Sequence, residues 1–330
     1  MNLERIIKDD SYINDKREYN DFKTITFSKF NRNEVKKTFL CELANGRIEN
    51  SCNWCAELIC SGHMIDVWEI ILFYFGKNIY LGNLKLIFYL KSRWESYELF
   101  YHNSLEIRND GRIRKLFAEI ICFLSLSKTR QCIESVKISS DDFDLSYISS
   151  KLKAPTTEYL ENIFKIGDPK GFFIAINEFC YSISRNICDI KKACYWIEWI
   201  LEFDALCRRK KVKTKTNDEF LCIKRNHIPV DIKFQRDIVW IIWDAIIFYM
   251  KEKNDIFQKM LDNLLHLFCI HYTSSLCKKK RYLLFLATGI LIDRIEINVD
   301  LIQSENKDII LNVVNQIDDV YKEINKNRVK

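Results

Sequence analysis

Cys52, Cys55, Cys60 and His63 stand at C-x2-C-x4-C-x2-H spacing inside "NSCNWCAELICSGH", residues 50–63. Three thiolates and an imidazole are the donors of a zinc module, which needs four ligands within about 2.0–2.3 Å of one ion. A second pattern overlies the same letters. Cys52, Cys55, Ala56, Ile59 and Cys60 fall at i, i+3, i+4, i+7 and i+8, the buried face of an α-helix. On a helix, Cys52 and His63 lie roughly 16 Å apart along the axis, too far to share an ion. No glycine or turn residue within "NWCAELI" folds the donors together. The expected structure is the helix, with small thiols filling a core.

A further donor set, His266, Cys269, His271 and Cys277, lies in "HLFCIHYTSSLC". His266 and Cys269 share a helical face, and a stop near Thr273-Ser274-Ser275 lets Cys277 fold back toward them. This set is the alternative metal candidate; the leading expectation is no metal and no cofactor. Other chemistry has no local carrier. There is no G-x-S-x-G and no Cys/His nucleophile signature. The close glycine pairs Gly76/Gly82 and Gly167/Gly171 precede no Lys-Ser/Thr, so no P-loop is present. The carboxylate pairs Asp141-Asp142 and Asp318-Asp319 sit in polar, solvated contexts.

Charge is concentrated. "RRKKVKTK" carries Arg208, Arg209, Lys210, Lys211, Lys213 and Lys215, and removing those six from 51 Lys and Arg leaves 45 against 45 Asp and Glu. The net charge of +6 is therefore local. "CKKKR" adds Lys278, Lys279, Lys280 and Arg281, and the two stretches could meet in space. Three uses fit such a basic loop: solvation, an import signal, or contact with phosphates or an acidic partner. Without interleaved aromatics it would position a backbone and read no bases. Of the seven tryptophans, Trp54, Trp68, Trp196, Trp199, Trp240 and Trp243 lie in apolar helical runs and read as core. Trp94, beside Lys91 and Arg93, reads as a surface aromatic for ligand or partner contact.

The elements that must position these residues are helices. Only 8 Gly and 3 Pro occur in 330 residues, far below the average usage of about 7% and about 5%. Asn31 with Glu34 three residues on starts a helix that stops at Asn45-Gly46, with Val35, Phe39 and Leu43 inward. The helix of the opening stretch ends at Gly62, and "MIDVWEIILFYFG" ends at Gly76. "KNIYLGN" is a link. Behind an Asn109/Asp110 cap, Ile113, Leu116, Phe117, Ile120 and Leu124 keep helical spacing. Residues 138–156, rich in Ser and Asp and containing Pro155, read as a hinge. Asp168 as N-cap with Pro169 at the first helical position restarts the pattern. A last amphipathic helix over about 304–326 turns Ile310, Val313, Val314, Ile317 and Val320 inward. "IENSCNWCAELI" and "IKKACYWIEWIL" match at Ile, Ser/Ala, Cys and Trp, a hint of duplication.

The expected fold is all-α, two helical lobes in a bundle or repeat-like array: a polar tail 1–28, a lobe 29–137, the hinge 138–156, and a lobe 157–330. The apolar runs 237–250 and 282–292 fall short of the roughly 18 residues of a membrane span. With 13 cysteines and a polar start, the chain is expected to be intracellular, cytoplasmic or nuclear, with reduced thiols and no membrane partner.

Over about the first 130 residues the chain resembles a conserved helical protein family of nucleocytoplasmic large DNA viruses. The residues that carry the likeness are Trp54, Glu57, Leu58, Ser61, Gly62, Trp68, Asn78, Gly82, Asn83, Lys91, Ser92 and Arg93. Trp54, Gly62 and "KNIYLGN" are also similar to the collar domain of clamp-loader-like AAA+ ATPases of the RarA and WRN-interacting type. Lys77 and Asn78 stand where that family has an acidic pair, and the ATPase portion is missing. That likeness implies a docking or oligomerising helical module without ATP hydrolysis. The leading functional expectation is a non-enzymatic binding or scaffolding module of a viral DNA replication or expression complex, with a protein partner and a basic loop for nucleic acid or an acidic surface. The alternatives are a virion-associated structural protein and an enzyme whose site no local motif reveals.

Overall fold

A computed structural model describes residues 10–17, 19–103, 107–214, 220–295 and 300–328. Among them the chain is all-α, with no strand and a single bridge between Ile25 and Asn31. The helices are α1 (Arg32–Ala44), α2 (Ile48–Cys60), α3 (Met64–Tyr74), α4 (Lys85–Asn103), α5 (Gly111–Leu126), α6 (Leu145–Lys151), α7 (Phe173–Ile183), α8 (Ile190–Thr214), α9 (Val239–Met250), α10 (Asp255–Cys269), α11 (Arg281–Ile292) and α12 (Lys307–Arg328). No described helix is long and apolar enough to cross a membrane.

The chain divides into two units, Met1–Arg130 with Asn298–Lys330, and Gln131–Ile297. This differs from the sequence division, which gave 157–330 to one lobe. In the first unit α2 packs against α1, α5 and α12. Helix α12 belongs here because its Ile310, Ile317, Tyr321 and Ile324 form a buried stripe. Arg114 of α5 places its guanidinium 4.3 Å from the Tyr321 ring centroid and 3.3 Å from Asp318.

The opening motif is α2. Cys52, Cys55, Ala56, Ile59 and Cys60 are all buried, and Gly62 adopts φ 75° after the last turn. The caps also form as local chemistry requires: Asn31 accepts the amides of Asn33 and Glu34, and Asp110 accepts that of Arg112. Gly76 does not end α3. It is buried inside a π-helical turn, Phe75–Ile79, that continues the helix into Tyr80–Gly82.

The tail expected over 1–28 is, from residue 10 onward, a strap tied to the helices. Ile13, Phe22, Thr26 and Phe27 are buried. Its backbone is satisfied by side chains of the bundle, which a polar sequence does not advertise. Asn109 bonds both the amide and the carbonyl of Ile13, at 2.7 and 3.1 Å. Asn325 donates to the Tyr12 carbonyl at 2.8 Å. Ser61 Oγ accepts the Phe27 amide at 2.7 Å, and Glu57 takes the amide and hydroxyl of Ser28 at 2.6 and 2.8 Å.

His63 pins the strap with Nε2 at 2.7 Å from the Phe22 carbonyl. Burial, with Arg32 nearby, lowers its pKa from the ordinary value. A histidine depressed in the folded state contributes stability above its unfolded pKa and loses it as pH falls. The thermal midpoint of the first unit is therefore expected to drop as pH falls below about 6.5. In His63→Gln, whose amide keeps a donor there, that drop should flatten; an unchanged pH profile would remove His63 as its source.

In the second unit α8 is the central helix, packed by α7, α11 and α9, with α10 against α9 and α11. The stretch 138–156, expected as a hinge, lies within this unit and contacts α8. Trp199 Nε1 donates to the Asp142 carbonyl at 2.9 Å. Lys151 Nζ lies 2.8 Å from Asp142 Oδ1 and 2.8 Å from Tyr195 Oη. Burial opposes the charge of Asp142, but Lys151 and Ser139 outweigh it and hold the carboxyl at about 2. Glu178 then takes the amides of Lys153 and Ala154 at 3.0 and 2.9 Å.

Asp168 is not a helix N-cap. Pro169 precedes a short 3-10 turn, Lys170–Phe172, that leads into α7. The Asp168 carboxylate instead faces Arg225, at 2.5 Å (Nη1 to Oδ1) and 2.7 Å (Nη2 to Oδ2). It also accepts the amides of Lys165 and Ile223 at 2.8 and 2.9 Å. Arg225 Nε reaches Asp244 of α9 at 2.9 Å. One buried guanidinium thus joins three elements of this unit.

Candidate nucleic-acid interface

The basic run is carried on a helix and not, as expected, on a loop. From Ile190 to Thr214 no Gly or Pro occurs, and Leu, Ala, Arg and Lys are good helix formers. Cations in a last turn also suit the helix dipole and its free carbonyls. The inner stripe of α8, with Cys194, Trp196, Ile197, Ile200, Leu201 and Cys207, is buried.

At that root Arg208 is half-buried and doubly bound. Its Nε donates to Asp204 Oδ2 at 2.8 Å, and its Nη2 to Asp237 Oδ1 at 2.9 Å. Asp237 Oδ2 accepts the hydroxyls of Tyr272 and Ser274 at 2.8 and 2.7 Å. Burial resists the charge on Arg208, but the two carboxylates outweigh it and hold the guanidinium above its ordinary range. For Asp204 burial dominates: its pKa is raised, and its Oδ1 is buried with no hydrogen-bond partner.

The second basic stretch does meet the first. Glu202 accepts Arg209 at 3.5 Å and also pairs with Lys278. Glu198 takes Arg281 Nη1 at 3.0 and 3.1 Å. Lys280 is buried, and its ammonium caps the end of α10 by donating to the carbonyls of Phe268, at 2.7 Å, and Ile270. Arg208, Lys278 and Arg281 are therefore partly exposed and paired with carboxylates, and Lys280 is buried. Arg209, whose side chain is 67% exposed, and Lys279 face solvent. Lys210, Lys211 and Lys213 continue α8, and Lys215 lies outside the described residues. Sequence reasoning missed the four carboxylates. Asp204 and Arg208 at i,i+4 were a readable signal; Asp237 left none.

Lys91, Arg93 and Trp94, on α4 of the first unit, are committed to their own unit. Lys91 pairs with Glu95, and Arg93 lies 3.5 Å from Glu119 and 5.2 Å from the Tyr89 ring centroid. Trp94 is half-buried with its ring 5.1 Å from that of Trp68. All three side chains remain partly exposed.

The metal candidates disperse. His266 is exposed with Nδ1 at 2.8 Å from the Asp262 carbonyl, and His271 is exposed with φ 46°. Cys269 and Cys277 are buried, and burial pushes both thiols up to about 12. Neither these four nor Cys52, Cys55, Cys60 and His63 form a group able to hold a metal ion among the described residues. No family model, curated protein or solved structure matches the chain.

Proposed function

We propose that the protein is a non-enzymatic helical binding module that holds a polyanion, nucleic acid foremost, at the solvent end of α8. One observation carries this reading. Arg208 bolts the root of the basic run to Asp204 and Asp237, while the run continues on the same helix with no carboxylate between Asp204 and Asp218. An anchored helix thus leads into lysines with no carboxylate beside them in the sequence, Arg209 alone pairing back to Glu202. Contacts of this kind go to phosphates, release counterions, and position a backbone without selecting a sequence. The resemblance over the first 130 residues supports placing such a module, as part of this proposal, in a viral DNA replication or expression complex, and co-purification with replication or transcription proteins tests that part.

Replacing Arg209, Lys210, Lys211, Lys213 and Lys215 by Gln, with Arg208 kept, should abolish retention of duplex DNA and of RNA at low salt. In the parent chain the log–log salt slope should be steeper by about 0.9 for each phosphate contact made. Equal retention by both proteins would end the proposal. Arg208→Ala is a different experiment, since it leaves Asp204 and Asp237 without their cation and is expected to lower stability first.

A further inference from the structure

The second unit carries a rigid apolar point that its core does not use. Ile166 is 100% exposed at the summit of the Lys165–Asp168 turn, Ile223 beside it is 37% exposed, and Ile174 on the first turn of α7 is 43% exposed. These belong to one surface. A Cβ placed on Gly167 would stand 3.1 Å from Ile223 Cδ1, and the rings of Phe164 and Phe173 meet at 5.2 Å. The turn is stiff. Asp168 N donates to the Lys165 carbonyl at 2.9 Å, Asp168 Oδ2 accepts the Lys165 amide at 2.8 Å, and Gly167 has φ 100°. Arg225 fixes Asp168 from below. An apolar side chain held fully in water by a rivet of buried charge is not explained by packing.

Its rim is cationic. Lys165, Lys170 and Lys224 are exposed and make no ion pair among the described residues. The carboxylate of this turn, Asp168, faces inward onto Arg225.

We propose that this tip seats on an anionic lipid surface. The tip is convex, with its apolar side chain at the summit, so it suits a deformable interface where acyl chains lie beneath phosphates. Lysines flanking the summit keep their ammonium groups at phosphate level while their stems follow the isoleucines down. Because the turn is already ordered, insertion costs little conformational entropy. Contact of this kind needs no spanning helix, and it does not rest on the reading of the α8 end.

The test is co-sedimentation of the full chain with phosphatidylserine/phosphatidylcholine vesicles and with phosphatidylcholine vesicles alone. Binding is expected to the anionic vesicles only. Ile166→Ser should weaken it about ten-fold, and Lys165→Gln and Lys224→Gln about five-fold each. Lys259→Gln, at an exposed position of α10, should leave it unchanged. Ile166 makes no buried contact, so the serine variant should keep the parent thermal midpoint. Failure of the parent chain to bind anionic vesicles would overturn the proposal, as would equal binding by Ile166→Ser. Sensitivity to Arg209→Gln instead would move the contact to α8. Self-association in lipid-free buffer that Ile166→Ser abolishes would assign the tip to a second copy of the chain.

Discussion

Replacing Arg225 by Met should lower the stability of the second unit by about 3–5 kcal/mol, the cost of leaving a buried carboxylate without its cation. The side chains of Arg225 and Asp168 are both 0% exposed, and the pair is bidentate. Charge-assisted forked bonds are roughly twice as strong as neutral ones, and burial makes their loss expensive. The same guanidinium pairs with Asp244, which would be left with His227 alone, at 3.3 Å. The double variant Arg225→Met with Asp168→Asn should recover part of the loss, because it removes the buried charge and its one amide oxygen can still accept from either Lys165 or Ile223, whose amides meet different oxygens of the carboxylate. A pH profile separates charge pairing from packing. Burial pushes the Asp168 pKa up, but the hydrogen bonds from Arg225 outweigh it and leave the carboxyl below its ordinary value. Stability from a depressed carboxyl is present above its unfolded pKa, about 3.9, and is lost as pH falls through the folded value. The parent chain should therefore destabilise steeply below about pH 4, and Arg225→Met should do so less. Urea unfolding that gives the same midpoint for both proteins at pH 7 would show the pair to be dispensable.

What the sequence made legible follows from range. Periodicity located buried faces because a helical stripe is decided within a few residues. Ile113, Leu116, Phe117, Ile120 and Leu124 are all buried, as are Val35, Phe39 and Leu43. Caps were legible for the same reason at Asn31 and Asp110. Asp168 was not, although Asp-Pro fits a helix start, because Arg225 lies 57 residues away and offers a stronger bond than a backbone amide. The return of α12 to the first unit and the docking of the strap are also long-range events. Composition alone reads the strap as surface, and periodicity gives α12 an inward side without naming the unit it packs on.

The candidate interface was half legible. That the two basic stretches approach one another was readable from charge, and Glu202 joins them through Arg209 and Lys278. What they do there was readable only in part: Asp204 meets Arg208 at i,i+4 along α8, but Asp237, from a separate segment, left no signal. The matched segments at Ile48 and Ile190 show the same limit. Cys52 and Cys194 are both buried, but Trp196 is buried while Trp54 is half-buried against Phe30 at 5.6 Å. A shared letter takes its environment from what packs over it.

Gly82→Ala should be the most damaging single-methyl change in the first unit. A Cβ there would lie 2.2 Å from the carbonyl oxygen of Lys128 and 3.0 Å from the amide nitrogen of Arg130. Both are backbone atoms, so no side chain can rotate away. The segment after α5 must move, or the turn after α3 must open. Either motion strains contacts that close the unit. Arg130 N donates to the Ile79 carbonyl at 3.2 Å, and Asn83 Nδ2 donates to Ser127 Oγ at 3.3 Å and to the Leu301 carbonyl at 3.0 Å. The turn has little slack, since it follows a π-helical stretch and Tyr80 already adopts φ 48°. Overpacking of this kind costs about 3 kcal/mol when the neighbours cannot relax. Gly111→Ala is the internal control. It opens α5, nothing lies within 4 Å of its added Cβ, and its φ is not left-handed. There the methyl should be neutral or stabilising by up to about 1 kcal/mol. Thermal unfolding of the two variants should thus move in opposite directions or by very different amounts. Amide exchange in Gly82→Ala should quicken in α12, which follows the segment that Asn83 holds. Equal thermal midpoints for the two variants would mean that the Lys128 carbonyl yields freely, and that this close approach does not constrain the fold.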